Sequence, residues 1–219
     1  MTHRALLIPV LISFTLVNNT RNADTDRNIF SRSKTIIQSP GSAEHLQLTD
    51  TSRISALKKD FRVKESQQNS NLVEWYYHNT VPTTVYKNWV SCYFKTTNKK
   101  STSGLRIRIQ CFGETCVTFK KVNFTIDGKS YEYKPSRESI KRCEDDVCYE
   151  DSKENWEYSD ESCLLDSDFK LLSALASAKT AQIQFVGSGS SKFLPVTQEE
   201  IVAVKNTIDL YRAFDGEFK

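Results

Sequence analysis

The stretch Val122-Asn-Phe-Thr-Ile-Asp-Gly-Lys-Ser-Tyr-Glu-Tyr133 decides the fold class. Val122, Phe124 and Ile126 alternate with polar residues, the period of two expected of a strand with one buried face. Asp127-Gly128 follows, and a two-residue type I′ turn needs positive φ at both central positions, which this pair supplies readily. In that register Phe124 stands opposite Tyr131 and Val122 opposite Tyr133, cross-strand pairs of the kind that stabilise a sheet. An antiparallel hairpin is therefore predicted near the middle of the chain.

On the N-terminal side, Val85–Lys95 is rich in aromatic and β-branched residues and reads as a strand. Leu105, Ile107, Ile109 and Cys111 alternate with Arg106, Arg108 and Gln110, so the arginines share the face opposite the apolar residues. Val117 and Phe119 have one parity and Val122 the other, which predicts a bulge at Lys120-Lys121. On the C-terminal side, residues 136–165 read as irregular and acidic, with one short strand at Trp156-Glu157-Tyr158. Phe169–Lys179 has helical spacing, with Asp166 or Ser167 as its cap. Ala181–Val186 alternates as a strand, 187–191 is a turn and Lys192–Val196 a partner strand. Thr197-Gln-Glu-Glu200 is a capping box, in which Thr and Glu each satisfy a free amide of the other. Its helix should bury Ile201, Val204, Ile208 and Tyr211. Strands first, then helix–hairpin–helix, predict an α+β fold. It should hold an antiparallel sheet of about five to seven strands, with two helices of the C-terminal half packed on it.

The N-terminus reads as an export signal over residues 1–19. Arg4 precedes an apolar run from Ala5 to Val17, too short for a bilayer-spanning helix, which needs about 20 residues. Residues 20–69 are polar and read as a flexible leader, apart from a short helix around Ser52–Phe61. Residues 70–219 read as a single α+β domain, secreted or periplasmic. All six cysteines follow the signal, and an even count in an exported chain points to disulfides. The spacing favours Cys111 with Cys116 across a tight turn between two strands, and Cys143 with Cys148. Cys92 and Cys163 remain for a long-range bridge.

The chain has 219 residues with 30 Lys+Arg and 27 Asp+Glu, a net charge of +3, which excludes the strong overall basicity of a nucleic-acid-binding domain. Charge is unevenly placed. Residues 66–143 hold 13 basic and five acidic residues, whereas 144–168 hold one lysine and 11 acids. Arg106, Arg108, Lys120 and Lys121 are the candidate ligand-binding residues, brought together by a tight hairpin across Phe112–Thr115. Their repulsion must be offset by acids from 144–168 or by an external anion, such as a glycan or an envelope component. Asn123-Phe124-Thr125 is a glycosylation sequon, facing outward, if the chain passes through a eukaryotic secretory pathway.

Catalytic and cofactor motifs are lacking. There is no H-E-x-x-H, no G-x-S-x-G, no phosphate-binding glycine loop and no C-x-x-C, so neither a metal site nor a cofactor is expected. His78, beside Trp75-Tyr-Tyr, and Glu157, between Trp156 and Tyr158, are the only side chains worth weighing as acid–base groups. The segments Ile126–Tyr131, Ala176–Lys179, Ala181–Val186 and Thr197–Phe214 loosely resemble exported bacterial proteins of unassigned function over residues 105–214. That resemblance implies an exported α+β domain and carries over no catalytic residue. The sequence thus reads as a disulfide-stabilised module that binds an unidentified protein or an anionic glycan or envelope partner, without catalysis. A secreted hydrolase acting on glycan or peptide is the alternative.

Overall fold

The computed structural model of the chain describes residues 51–98, 101–114, 117–143 and 155–218. The expected signal, most of the leader, Cys116 and Cys148 lie outside them. Helix α1 (residues 51–57) leads into β1 (Phe61–Gln68), β2 (Asn71–His78), β3 (Trp89–Thr97), β4 (Ser101–Thr102) and β5 (Arg106–Gly113). Then come β6 (Lys121–Ile126), β7 (Lys129–Tyr133), β8 (Ile140–Arg142), β9 (Asn155–Ser162) and helix α2 (Asp166–Ala176). Strands β10 (Ala181–Val186) and β11 (Ser191–Val196) and helix α3 (Gln198–Ala213) complete the chain.

The fold is α+β, as the strand and helix patterns predict. An antiparallel sheet of seven strands runs β1-β2-β3-β5-β9-β8, with β4 beside β3, and the two C-terminal helices pack on the core. The two hairpins read from the sequence, β6–β7 and β10–β11, join into a second sheet of four strands in the order β11-β10-β6-β7, a separation the sequence does not predict. Helix α3 lies on the inner face of β2 and β3, and α2 packs against α3 and approaches β7. One apolar core joins these layers. From the large sheet come Tyr76, Phe94, Ile107 and Ile109, from the small one Val122, Phe124, Ile183 and Phe185, and from the helices Leu172, Leu175, Val204 and Ile208.

The central hairpin forms in the expected register, Phe124 opposite Tyr131 and Val122 opposite Tyr133, with positive φ at Asp127 (48°) and Gly128 (79°). Four hydrogen bonds to the Asp127 carboxylate fasten this turn to the chain after α2, from Lys179 N (3.1 and 3.2 Å), Thr180 N (2.8 Å) and Thr180 Oγ1 (3.2 Å). The capping box also forms. Glu200 N donates to Thr197 Oγ1 at 3.3 Å, and Thr197 N donates to Glu200 Oε2 at 2.7 Å. The other oxygen of Glu200 accepts from Val90 N at 2.8 Å and so ties the start of α3 to β3.

Three expectations are corrected. Strands β5 and β6 do not pair, because β5 lies between β3 and β9 while β6 lies between β10 and β7. The parity change at Lys120-Lys121 marks the passage from one sheet to the other, not a bulge. The short helix expected within the leader forms as α1, but residues 61–68, placed in the leader by their polarity, form the edge strand β1. An edge strand needs little apolar surface, and in β1 only Phe61 is buried.

The third correction concerns the disulfides. Cys92 and Cys163 are free and buried, so the long-range bridge is absent. Cys92 Sγ faces Val204 O at 3.8 Å, and burial pushes its thiol up to about 12. Burial raises Cys163 in the same way. Both act as small apolar core residues, the usual role of an unbridged cysteine. Cys143 is disulfide-bonded to a residue outside those described, and Cys111 is buried on the inner face of β5. No disulfide joins two described residues, so the core is held by packing and the reading of a disulfide-stabilised domain does not stand. Among the described residues no helix is long and apolar enough to cross a membrane.

Candidate functional site

Pairing places side chains in rows across the outer face of the large sheet, away from α3. Arg62 of β1 stands opposite Tyr77 of β2, and Tyr93 of β3 opposite Arg106 of β5, which stands opposite Ser162 of β9. The Tyr77 and Tyr93 rings stack at 4.8 Å and join the two halves of this row. In a parallel row Ser91, Arg108 and Asp160 stand side by side. Lys64, Trp75 and Lys95 form a third. Cations and aromatics thus alternate, and each ring is approached by a cation. Arg62 lies 5.6 Å from the centre of Tyr77, Lys95 5.1 Å from Trp75, and Arg108 4.3 Å from Tyr158.

The two arginines of β5 lie two positions apart and differ in their partners. Arg106 is fully engaged. Its guanidinium meets Asp160 Oδ1 at 2.8 Å and donates to Tyr93 Oη (2.9 Å), Ser162 Oγ (3.1 Å) and the Asp160 carbonyl (3.0 Å). Tyr93 Oη in turn donates to the Asp160 carboxylate at 2.6 Å, and burial, followed by that bond, raises its phenol well above the ordinary value. The acid offsetting this basic strand does come from the acidic segment. Arg108 forms no ion pair and no hydrogen bond among the described residues, and its Nε is buried without a partner. An orphaned buried donor costs about 1–3 kcal/mol, so its persistence calls for an explanation.

Arg108 opens onto a cleft of about 430 Å³ lined by Tyr77 and Tyr93 on the floor, Arg62 and Lys64 on the β1 side, and Val81, Pro82 and Thr83 from the loop after β2. Three cations and no acid line it, and none of the three has an ion pair among the described residues. Arg62 is held in place through one nitrogen, which donates to the carbonyls of His78 (3.4 Å) and Asn79 (3.3 Å). The Tyr77 hydroxyl has no hydrogen bond among the described residues. Burial raises its pKa most, and Asp160 adds to the rise, while Arg108, Arg62 and Arg106 oppose it.

The other cations proposed from sequence lie elsewhere. Lys121 sits on the small sheet and pairs with Glu132 at 2.9 Å, and Lys134 pairs with the same carboxylate at 2.7 Å. Those two lysines hold Glu132 down at about 2. Lys120, just before β6, lines a separate hollow with Arg137 and Arg142. Asn123 faces outward on the small sheet, with Nδ2 donating to Gln184 Oε1 at 3.0 Å. The structure thus keeps Arg106 and Arg108 on one face and separates them from Lys120 and Lys121.

Neither acid–base candidate has the setting of a catalytic group. Glu157 is buried and accepts from Thr118 N (2.8 Å), Phe119 N (3.0 Å) and Arg142 Nε (3.2 Å), anchoring the connector between the sheets. His78 is buried behind the cleft, edge-on to Phe61, with Nδ1 2.9 Å from Thr80 Oγ1 and Nε2 3.3 Å from Asn206. Burial lowers its pKa, against weaker opposing pulls from Asp60 and Glu199. Sequence reasoning missed Arg62, Lys64 and Tyr77. Arg62 and Lys64 fell in the supposed leader, though their alternation with Phe61, Val63 and Glu65 is the period of a strand. No family model, no curated protein and no solved structure matches the chain.

Proposed function

We propose that the chain binds an anionic ligand in the outer-face cleft, with Arg108 and Arg62 as its principal contacts and Lys64 adding charge. The observation that carries this reading is Arg108, a cation with a buried, unpartnered Nε beside an arginine of the same strand that has every partner it needs. An incoming oxyanion would gain charge-assisted hydrogen bonds from the guanidinium, the stronger kind. The cleft size lies within the range of small-molecule sites. Nothing comparable supports hydrolysis, since His78 and Glu157 are both used in holding the fold.

Calorimetric titration of the protein with inorganic phosphate at low ionic strength tests the reading. Saturable binding that weakens steeply with added salt is expected, because the cleft opens to solvent and its field is screened over about 8 Å at physiological ionic strength. Arg108→Gln should abolish the binding while leaving the fold intact. Undiminished binding by Arg108→Gln, or no binding by the wild type, overturns it.

A further inference from the structure

We infer that Asn123 carries an N-linked glycan whose first sugar lies across β10 against Phe193. The inference is independent of the anion-binding reading and concerns the outer face of the small sheet. Asn123-Phe124-Thr125 is the one acceptor sequence after residue 20. Positions two apart on a strand share a face, so β6 turns the Asn123 amide and the Thr125 hydroxyl outward together, while Val122, Phe124 and Ile126 are buried. Transfer joins the anomeric carbon of a lipid-pyrophosphate-linked oligosaccharide to Asn123 Nδ2. The bond from that carbon to the pyrophosphate breaks, and the lipid pyrophosphate and one amide proton leave. Such a donor belongs to a secretory pathway, and the disulfide at Cys143 supports passage through an oxidising compartment.

Pairing sets Phe193, Gln184, Asn123 and Glu132 in one row across β11, β10, β6 and β7. Thr125, Ser130, Gln182 and Pro195 around that row are exposed. Phe193 is 56% exposed, an aromatic ring in water on an otherwise polar face. The C–H face of a hexose is apolar, and laying it on such a ring removes apolar area from water. Two strand spacings, about 10 Å, separate Asn123 from Phe193, a span for the asparagine side chain and the first sugar together. Toward β7 the way is taken by Glu132 and its two lysines. Toward β10, Asn123 Nδ2 donates to Gln184 Oε1 at 3.0 Å. That nitrogen carries two hydrogens, so the glycan replaces one and leaves the other for Gln184. Gln184 is made 61 residues after Asn123, so the amide is free of it when the acceptor sequence emerges.

The full chain, secreted under its own signal from cultured animal cells that make only oligomannose glycans, gives the test. Peptide mass mapping should find a glycan on Asn123 in the wild type and in Thr125→Ser. It should find none in Thr125→Ala, which keeps Asn123 and its bond to Gln184. Wild-type protein trimmed to a single N-acetylglucosamine should melt about 2–4 °C above the same chain from cells in which synthesis of the lipid-linked donor is blocked, the shift of one added contact in a domain of this size. In Phe193→Ser that difference should vanish. Secreted wild-type protein with Asn123 unmodified, or a chain kept inside the cells without a glycan, overturns the site. A glycan at Asn123 that leaves melting unchanged, or whose effect survives in Phe193→Ser, overturns the placement of the sugar.

Discussion

The two sheets carry cations on their outer faces and treat them differently. On the small sheet, Lys121 and Lys134 share Glu132, and Asn123 pairs with Gln184, so exposed polar groups find partners on neighbouring strands. On the large sheet, Arg106 is satisfied by Asp160, but Arg62, Lys64 and Arg108 are left around a cleft without ion pairs among the described residues. The difference lies in strand order. Inserting β9 beside β5 gives Arg106 an acid that Arg108, whose own neighbour Asp160 turns toward Tyr93, does not obtain. A cation count in the sequence is therefore a poor guide to binding, and what matters is which cations remain after the sheet has assigned partners.

That comparison can be tested at several places. The largest effect should come from the joint between the sheets. Glu157→Ala removes the acceptor of Arg142 Nε and of two backbone amides, and loss of one member of a buried pair costs about 3–5 kcal/mol. Urea unfolding should show the midpoint falling accordingly. An unchanged midpoint would mean that the connector is held by something else.

The next test sets the two arginines of β5 against each other. Arg106→Gln breaks a part-buried network and should cost about 1.5–3 kcal/mol of stability. Arg108→Gln removes an unpaired charge and should leave thermal stability within about 0.5 kcal/mol of wild type. Equal losses would dissolve the contrast on which the cleft reading depends.

A smaller effect concerns pH. His78 has a folded pKa below its ordinary value of 6.5, so the unfolded chain binds the proton first as pH falls. Its contribution to stability is complete above about pH 6.5 and declines as pH drops through that value toward the lower folded pKa. Melting temperatures between pH 7.5 and pH 5 should fall more for the wild type than for His78→Gln, and parallel curves would refute the assignment. The smallest effect is expected on the small sheet. Lys121→Gln breaks an exposed ion pair, which is generally worth little, and no change in melting temperature should be resolved.

Much of this arrangement was legible from residues close together in sequence. The Asp127-Gly128 turn, the β10 strand and the Thr197 capping box are local devices, and each appears where the pattern put it. What stayed hidden depends on distant partners. Strand β9 was readable only at Trp156–Tyr158 because Glu157, Asp160 and Glu161 interrupt its apolar residues, yet each carboxylate is taken up by the fold, Glu161 by Tyr133 Oη and Ser136 N. Polar β1 carries a strand's alternation only over Phe61–Glu65, and its full length is fixed by pairing with β2. Even cysteine number suggested bridges, whereas Cys92 and Cys163 are buried as thiols. Of the site, the common face of Arg106 and Arg108 was readable. Which arginine stays open was not, because the deciding acid lies more than 50 residues away.

The strand order also has a consequence for how the chain reaches this structure. Strand β5 meets its partner β9 only after the intervening β6–β8 segment has been made, and β6 waits for β10, with paired positions 42 to 65 residues apart in sequence. Contacts of such separation close slowly, because loop entropy is lost before packing rewards it. During synthesis the β1–β2–β3 meander and the β6–β7 hairpin can form early from local contacts. The apolar edge of β5, with Ile107 and Ile109, stays without a strand on one side until residue 162 has emerged. That interval, rather than the finished fold, is when the chain is most exposed to pairing with a second copy of itself.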